Sequence, residues 1–143
     1  MDTTTRKTRD EDYVLDLCDE VLREKARRQH RFEWLRGDPG MNGHTSTLPV
    51  DGYYERLGIV VEYRERQHDE PVPFFDKRKT ISGVNRGEQR RLYDKRRDNL
   101  VPAHRLKLIV IRPKDLDANK GGRLRRTKET DRQAISAILG PCV

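Results

Sequence analysis

The stretch LPVDGYYERLGIVVEYR, residues 48–64, decides the fold. Two runs rich in β-branched and aromatic residues, 48–54 and 57–64, flank a short turn at 55–58 and predict a β-hairpin. Within the second run, Ile59, Val60, Val61, Glu62 and Tyr63 form the most strand-like segment of the chain. Alternation sets Val60, Glu62 and Arg64 on one face and Ile59, Val61 and Tyr63 on the other. Glu62 therefore falls in a run apolar enough to be central in a sheet, where a carboxylate is costly unless paired. Asp51, in the first arm, is its expected neighbour across the turn. Two carboxylates brought together repel, and the remedies are a shared proton, a basic residue or a divalent cation. Mg²⁺ suits such a pair, because it takes oxygen ligands and is often held by one or two carboxylates plus substrate phosphate. The structural alternative pairs Glu62 with Arg64 or another arginine.

Upstream, Val14, Leu17, Cys18, Val21 and Leu22 recur at helical spacing and predict a helix over 10–29. Glu11 and Asp12 in its first turn and Arg23, Lys25, Arg27 and Arg28 towards its end suit the helix dipole. Cys18 falls on its packed face, and His30 is read as a cap at its end. Residues 31–35 predict a short strand and 36–47 a Gly- and Pro-containing loop. Downstream, 65–85 is a long irregular stretch with Pro71 and Pro73, of a length usually tied to function. A charged helix over 87–99 has a narrow seam of Leu92, Tyr93 and Leu100, and Pro102 is expected to break the chain. A buried strand over 105–111, a basic loop over 112–127 and a last helix over 128–139 follow. The order predicts an α/β fold, a mixed four-stranded sheet flanked by helices. It forms a single domain over 10–143, behind a disordered tail over 1–9.

The chain of 143 residues is 38% charged, against about 25% in an average domain, so the core is thin. Its 31 basic and 24 acidic residues give a net charge of +7, which points to a polyanionic partner, most often nucleic acid. The charge is local: 120–128 holds Lys120, Arg123, Arg125, Arg126 and Lys128 with no acid, and 86–97 is similarly basic. No apolar run approaches the ~18 residues of a membrane span, and the first residues lack an apolar stretch. Cys18 and Cys142 make neither a disulfide scaffold nor a C-x-x-C zinc pair. The expectation is a soluble, cytoplasmic domain with no membrane contact and no small-molecule cofactor.

In element order and motifs the sequence resembles the PD-(D/E)xK nuclease superfamily, and within it the very-short-patch-repair-like and phage homing-endonuclease-like branch. The resemblance rests on FEWL with the Gly-containing loop after it, LPVDGYY, LGIVVEYRERQH, RLYDKRRD and LKLIVIRP, between residues 31 and 113. It implies a restriction-endonuclease-like αβββαβ core with an extra C-terminal helix. It also implies a metal-dependent DNA endonuclease that uses Mg²⁺, with Mn²⁺ as a substitute. Asp51 and Glu62 match the metal-binding carboxylates, Gln67 and His68 the Gln-His pair after the third strand, and Asp94 and Lys95 a polar pair on the next helix. Arg64 stands where the superfamily signature has lysine, and Glu65 and Arg66 stand where the branch has small or acidic residues. Arginine does not give up its proton. Arg64 is thus expected to stabilise charge on the scissile phosphate, which leaves water activation to the metal or to His68.

The expected phosphate-backbone contacts are Lys77 and Lys79 in the long stretch, and Arg86, Arg90, Arg91 and Lys95 on the charged helix. Arg123, Arg125 and Arg126 in the basic loop complete them. Glu20 and Glu24 are candidates for a further metal carboxylate. Trp34, Phe74 and Phe75 are read as core. The alternative functions are a catalytically inactive nucleic-acid-binding module on the same fold and a subunit whose basic loops meet an acidic protein.

Overall fold

A computed structural model describes residues 8–65 and 86–142. Its elements are α1 (Asp10–Leu22), β1 (Arg27–Arg36), β2 (Thr47–Tyr54), β3 (Ile59–Tyr63), α2 (Arg86–Ala103), β4 (Lys107–Ile111) and α3 (Lys128–Leu139). The sheet has the order β1-β2-β3-β4. β1/β2 and β2/β3 are antiparallel, and β3/β4 is parallel across the α2 crossover. The result is the expected α/β architecture: αβββαβ with one further helix, and a mixed four-stranded sheet flanked by helices. The expected N-terminal tail falls almost wholly outside the described residues. Among them, no helix is long and apolar enough to cross a membrane.

Two apolar clusters hold the layers together. On one face, α1 and α3 pack Val14, Leu15, Cys18, Ile135 and Leu139 against Ile59, Val61, Tyr63 and Ile111. On the other, Val101 of α2 meets Leu35, Leu48, Val50 and Val60. β3 is buried at all five positions, as expected for a central strand covered on both sides. Cys18 is fully buried, and burial pushes its thiol up to about 12, so it packs as a small hydrophobe.

Several expected boundaries move. The first helix ends at Leu22, because the apolar period stops there and Arg23 enters the left-handed region at φ 56°. The carboxylate of Asp19 then organises the return of the chain. It accepts the Ala26 N–H (3.1 Å), the Tyr54 hydroxyl (2.6 Å) and an Arg28 guanidinium N–H (2.8 Å). β1 accordingly begins at Arg27, inside the span read as helix, and His30 is a strand residue. α2 runs through Pro102 and ends one residue later, so the missing N–H removes a single i→i−4 bond in the last turn. Its buried side chain is Val101, whereas Leu92 is exposed. β4 is two residues shorter than expected, and the basic loop holds a 3₁₀ turn over Pro113–Asp115 and an Ala118–Leu124 bridge.

Alternation also breaks at one level of β1 and β2. Arg28 and its partner Gly52 face α1, through the Arg28–Asp19 contact and the Leu15 methyl beside Gly52. The next pair, His30 and Val50, faces the α2 side. Between them lie Gln29, at φ 51°, and Asp51. Both strands turn over there, and Asp51 projects towards β3.

Gly52 lets α1 close on β2 just beside this point. A Cβ there would lie 2.8 Å from Leu15 Cδ2 and 3.3 Å from Ala26 Cβ. Leu15 is fully buried and has no room to retreat. Gly52→Ala is expected to cost about 1–3 kcal/mol of stability, the usual range for overpacking, measured by urea denaturation.

Candidate active site

The β2/β3 backbone ladder is regular from Tyr54↔Ile59 to Gly52↔Val61 and stops there. Beyond it two carboxylates take the place of carbonyl partners. The Asp51 N–H donates to Glu62 Oε2 at 2.8 Å, and the Tyr63 N–H donates to Asp51 Oδ2 at 2.7 Å. The strands are thus splayed and bridged by their own side chains, which presents Asp51 and Glu62 side by side. β3/β4 pairing carries on past this level, through Glu62↔Val110 and Tyr63↔Ile111, with Arg64 N–H bonded to Ile111 O at 2.9 Å. Glu62 remains in a central strand at 4% exposure.

Electrostatics at the pair follow from this placement. Burial, reinforced by the Asp51 charge, pushes Glu62 up to about 7, against the pull of Arg97, the Asp51 N–H and Arg64. Burial also raises Asp51, opposed by the Tyr63 N–H and Arg97. The Glu62 Oε1 atom lies 3.7 Å from Arg64 Nε and 3.8 Å from Arg97 Nε. Arg64, 5% exposed, is hemmed in by acids. Its Nη2 is 2.9 Å from Asp98 Oδ1, and its Nε is 3.7 Å from Asp94 Oδ1. The Nε atom is buried without a hydrogen-bond acceptor among the described residues. Arg97 is held by Asp94 (3.0 Å) and the Pro49 carbonyl (3.1 Å).

These donors fit a hard divalent cation. Both are carboxylates, their ionised forms are under-compensated, and an orphaned guanidinium N–H beside them calls for an oxygen ligand. Among the described residues, no group of three His, Cys, Asp or Glu side chains stands ready around one point. A cation would complete its shell with water and phosphate.

The structure brings Asp51, Glu62, Arg64 and Asp94 together. Gln67, His68, Lys77, Lys79, Phe74 and Phe75 lie outside the described residues. Lys95 is exposed on the outer side of α2, lining a shallow surface hollow with Leu92, Arg96, Asn99 and Leu100. Arg86 and Arg90 are exposed and Arg91 partly so. In the basic loop, Arg125 pairs with Asp117 at 2.8 Å, and Arg126 pairs with Asp10 at 2.9 Å and the Thr8 carbonyl at 2.6 Å. Lys120 and Arg123 are exposed and make no ion pair among the described residues. Trp34 is half-buried and stacks on His104, with ring centroids 3.7 Å apart.

Three residues enter the site without having been singled out. Arg97 reaches Glu62 one helical turn after Asp94. Glu11, in the first turn of α1, is raised by burial and by the Asp51 charge. Gln29 bonds both Glu11 and Asp51. The acidic candidates on α1 are engaged elsewhere: Glu20 with Arg132 (3.3 Å) and Lys128 (3.4 Å), Glu24 with Arg56 (2.6 Å). Arg97 carried a signal in its i,i+3 spacing from Asp94. Glu11 read as an ordinary dipole partner and Gln29 as a helix residue.

The chain matches no protein-family model and no curated protein. Among solved structures it is similar to the 5-hydroxymethylcytosine-specific restriction enzyme AbaSI, with a TM-score of 0.44 and 18% identity. The match covers 96% of this chain and 42% of that one, so the chain spans less than half the length of that enzyme.

Glu62 holds its proton more tightly in the folded protein than in the unfolded chain, where it leaves near 4.5. Its contribution to stability is therefore full below about pH 4.5 and lost as pH rises to about 7. In EDTA the melting temperature should fall over that window. Glu62→Gln should flatten the fall and melt above wild type at pH 8, in thermal scans across the range.

Proposed function

We propose that the protein is a metal-dependent DNA endonuclease of the PD-(D/E)xK type, in the very-short-patch-repair-like and phage homing-endonuclease-like branch. Asp51 and Glu62 would hold Mg²⁺, or Mn²⁺ in its place. The observation that carries this reading is the carboxylate exchange at the β2/β3 split. It gathers two anions at the end of a buried strand and leaves them short of positive charge.

Hydrolysis requires water to add to phosphorus, one P–O ester bond to break and the leaving oxygen to gain a proton. The cation, when bound, supplies charge neutralisation at the phosphate and lowers the pKa of water. The protein's own groups do the rest. Asp51 and Glu62 would hold that cation, and their backbone hydrogen bonds keep them in place without cost at the moment of reaction. Arg64 and Arg97 offset the carboxylates from the α2 side, and the free Nε–H of Arg64 offers a donor for an oxygen at the reacting centre. Gln67 and His68, which follow β3 in sequence, are assigned to positioning water and accepting its proton.

DNA would approach along the basic segments. The 112–127 loop is stapled to the start of α1, where Asp10 receives the Leu124 N–H (3.3 Å) and the Arg126 guanidinium. This fastens the loop to the first turn of α1, the turn that also carries Glu11. Arg125 and Arg126 fix its shape, and Lys120 and Arg123 are its phosphate contacts.

One observation favours a second reading, a nucleic-acid-binding module that does not cleave. Arg64 stands in the place of lysine and is already surrounded by Glu62, Asp94 and Asp98. Plasmid nicking in Mg²⁺, Mn²⁺ and EDTA separates the two. Divalent-dependent nicking by the wild type supports the nuclease, and DNA binding without nicking supports the module.

In that assay Asp51→Ala should abolish cleavage. Its DNA affinity in EDTA should be equal to or above that of wild type, because an anion facing phosphate is gone. A variant that still cleaves near the wild-type rate would exclude Asp51 as a ligand. Replacing Lys120 and Arg123 by Ala should weaken binding to all sequences alike and flatten the log–log salt dependence by up to about 0.9 per lost phosphate contact. Arg125→Ala should leave that slope unchanged.

A further inference from the structure

We propose that Gln29 is a positioning residue for the metal site, set in a left-handed backbone conformation so that its side-chain amide ties Asp51 to an anchor on α1, Glu11. The inference rests on the metal-dependent reading above and adds to it a residue from β1.

Four non-glycine residues have positive φ among those described: Arg23, Gln29, Arg105 and Arg126. Arg23 ends a helix, and Arg105 and Arg126 lie in connections. Gln29 lies inside a strand, at the level where β1 and β2 both turn over. An L-residue pays for this conformation, which persists where the surroundings over-determine it, and such positions gather at functional sites. Regular extended backbone would place the Gln29 side chain on a face of the sheet. The left-handed turn instead brings its Nε2 to 2.7 Å from Glu11 Oε2 and 3.4 Å from Asp51 Oδ1.

Asp51 is thereby held from two sides. The Tyr63 N–H fixes Oδ2, and Gln29 restrains Oδ1. A carboxylate with both oxygens oriented before the cation arrives loses less freedom on binding it. Glu11 supplies the other end of the clasp, and the amide hydrogens between two like charges offset their repulsion. Without Gln29, Glu11 is free to turn towards the Arg9 guanidinium, 3.8 Å away. An independent sign that this site takes a ligand comes from its other side, where the buried Nε of Arg64 lacks an acceptor among the described residues.

The test uses the full chain and Mn²⁺ as the only added ligand, followed by titration calorimetry, with melting temperatures in EDTA. Gln29→Gly keeps the left-handed backbone without strain and removes the amide. It should melt at or above the wild-type temperature and bind Mn²⁺ about 10- to 100-fold more weakly, the usual effect of losing a residue that orients a ligand. Glu11→Ala should weaken Mn²⁺ binding as well. The double variant should bind within about threefold of the weaker single variant, because both changes open one clasp. Gln29→Asn, which tolerates the backbone but is one methylene too short to span both acids, should behave like Gln29→Gly. It serves if the glycine variant does not fold. Wild-type Mn²⁺ affinity in the Gln29 variants would overturn the clasp, as would fully additive losses in the double variant. If the wild type binds Mn²⁺ and Asp51→Ala does not, such a result defeats the clasp alone. A wild type that binds no Mn²⁺ defeats the metal-dependent reading and the clasp together.

Discussion

Two backbone N–H groups donate to two carboxylates where β2 and β3 part, and the rest of the site depends on that exchange. A sheet that splits normally leaves orphaned amides, each costing about 1–3 kcal/mol when buried. Here the Asp51 and Tyr63 N–H groups are satisfied by Glu62 and Asp51. The same bonds that close the gap in the ladder hold the acids in place, so backbone hydrogen bonding and site geometry are one feature. Removing either acid would orphan an amide as well as delete a charge.

The charges set the second constraint. Glu62 belongs to a strand covered on both faces, and its carboxylate is driven towards the neutral form. Two arginines answer it, Arg64 from the end of β3 and Arg97 from α2, with acids of α2 behind them. Arg64 and Arg97 reach Glu62, while Asp94 and Asp98 hold the guanidinium groups. The compensation is incomplete, since burial still outweighs it and one guanidinium nitrogen has no acceptor among the described residues. A protein selected for stability alone would do better with an apolar residue at this place. The imbalance is intelligible where a cation and a phosphate complete the set.

Packing then decides what else reaches the site. Gly52 allows α1 to press onto β2, and the first turn of α1 comes down beside Asp51. Asp10 ties the C-terminal basic loop to that same turn, and Asp131, fully buried, ties α3 to α1 through the Tyr13 hydroxyl (2.6 Å). The basic loop is therefore fastened to the start of α1 rather than a free arm. Arg126 holds it to Asp10 and Thr8, and Arg125 braces it from within through Asp117 and the Ala118 carbonyl.

The α/β order and the pairing of Asp51 with Glu62 were legible in the sequence, because both follow from local rules. A tight turn sets the level at which residues of a hairpin meet, which puts Asp51 opposite Glu62 even where the period of two breaks, and a central strand announces itself by its apolar run. Glu11, Gln29 and the end of α1 were not legible. The charged segment 23–30 fits a helix and an edge strand alike, since it buries little apolar area either way. The choice between them was made by Asp19, which gathers Ala26, Arg28 and Tyr54 only in the folded protein. Gln29 could take its left-handed conformation only once β1 had paired with β2, and Glu11 could meet it only once α1 had settled on Gly52. The sequence alone determined the elements and the acidic pair. The tertiary structure decided which polar residues converge on that pair, because such contacts join distant segments and leave no period in the chain.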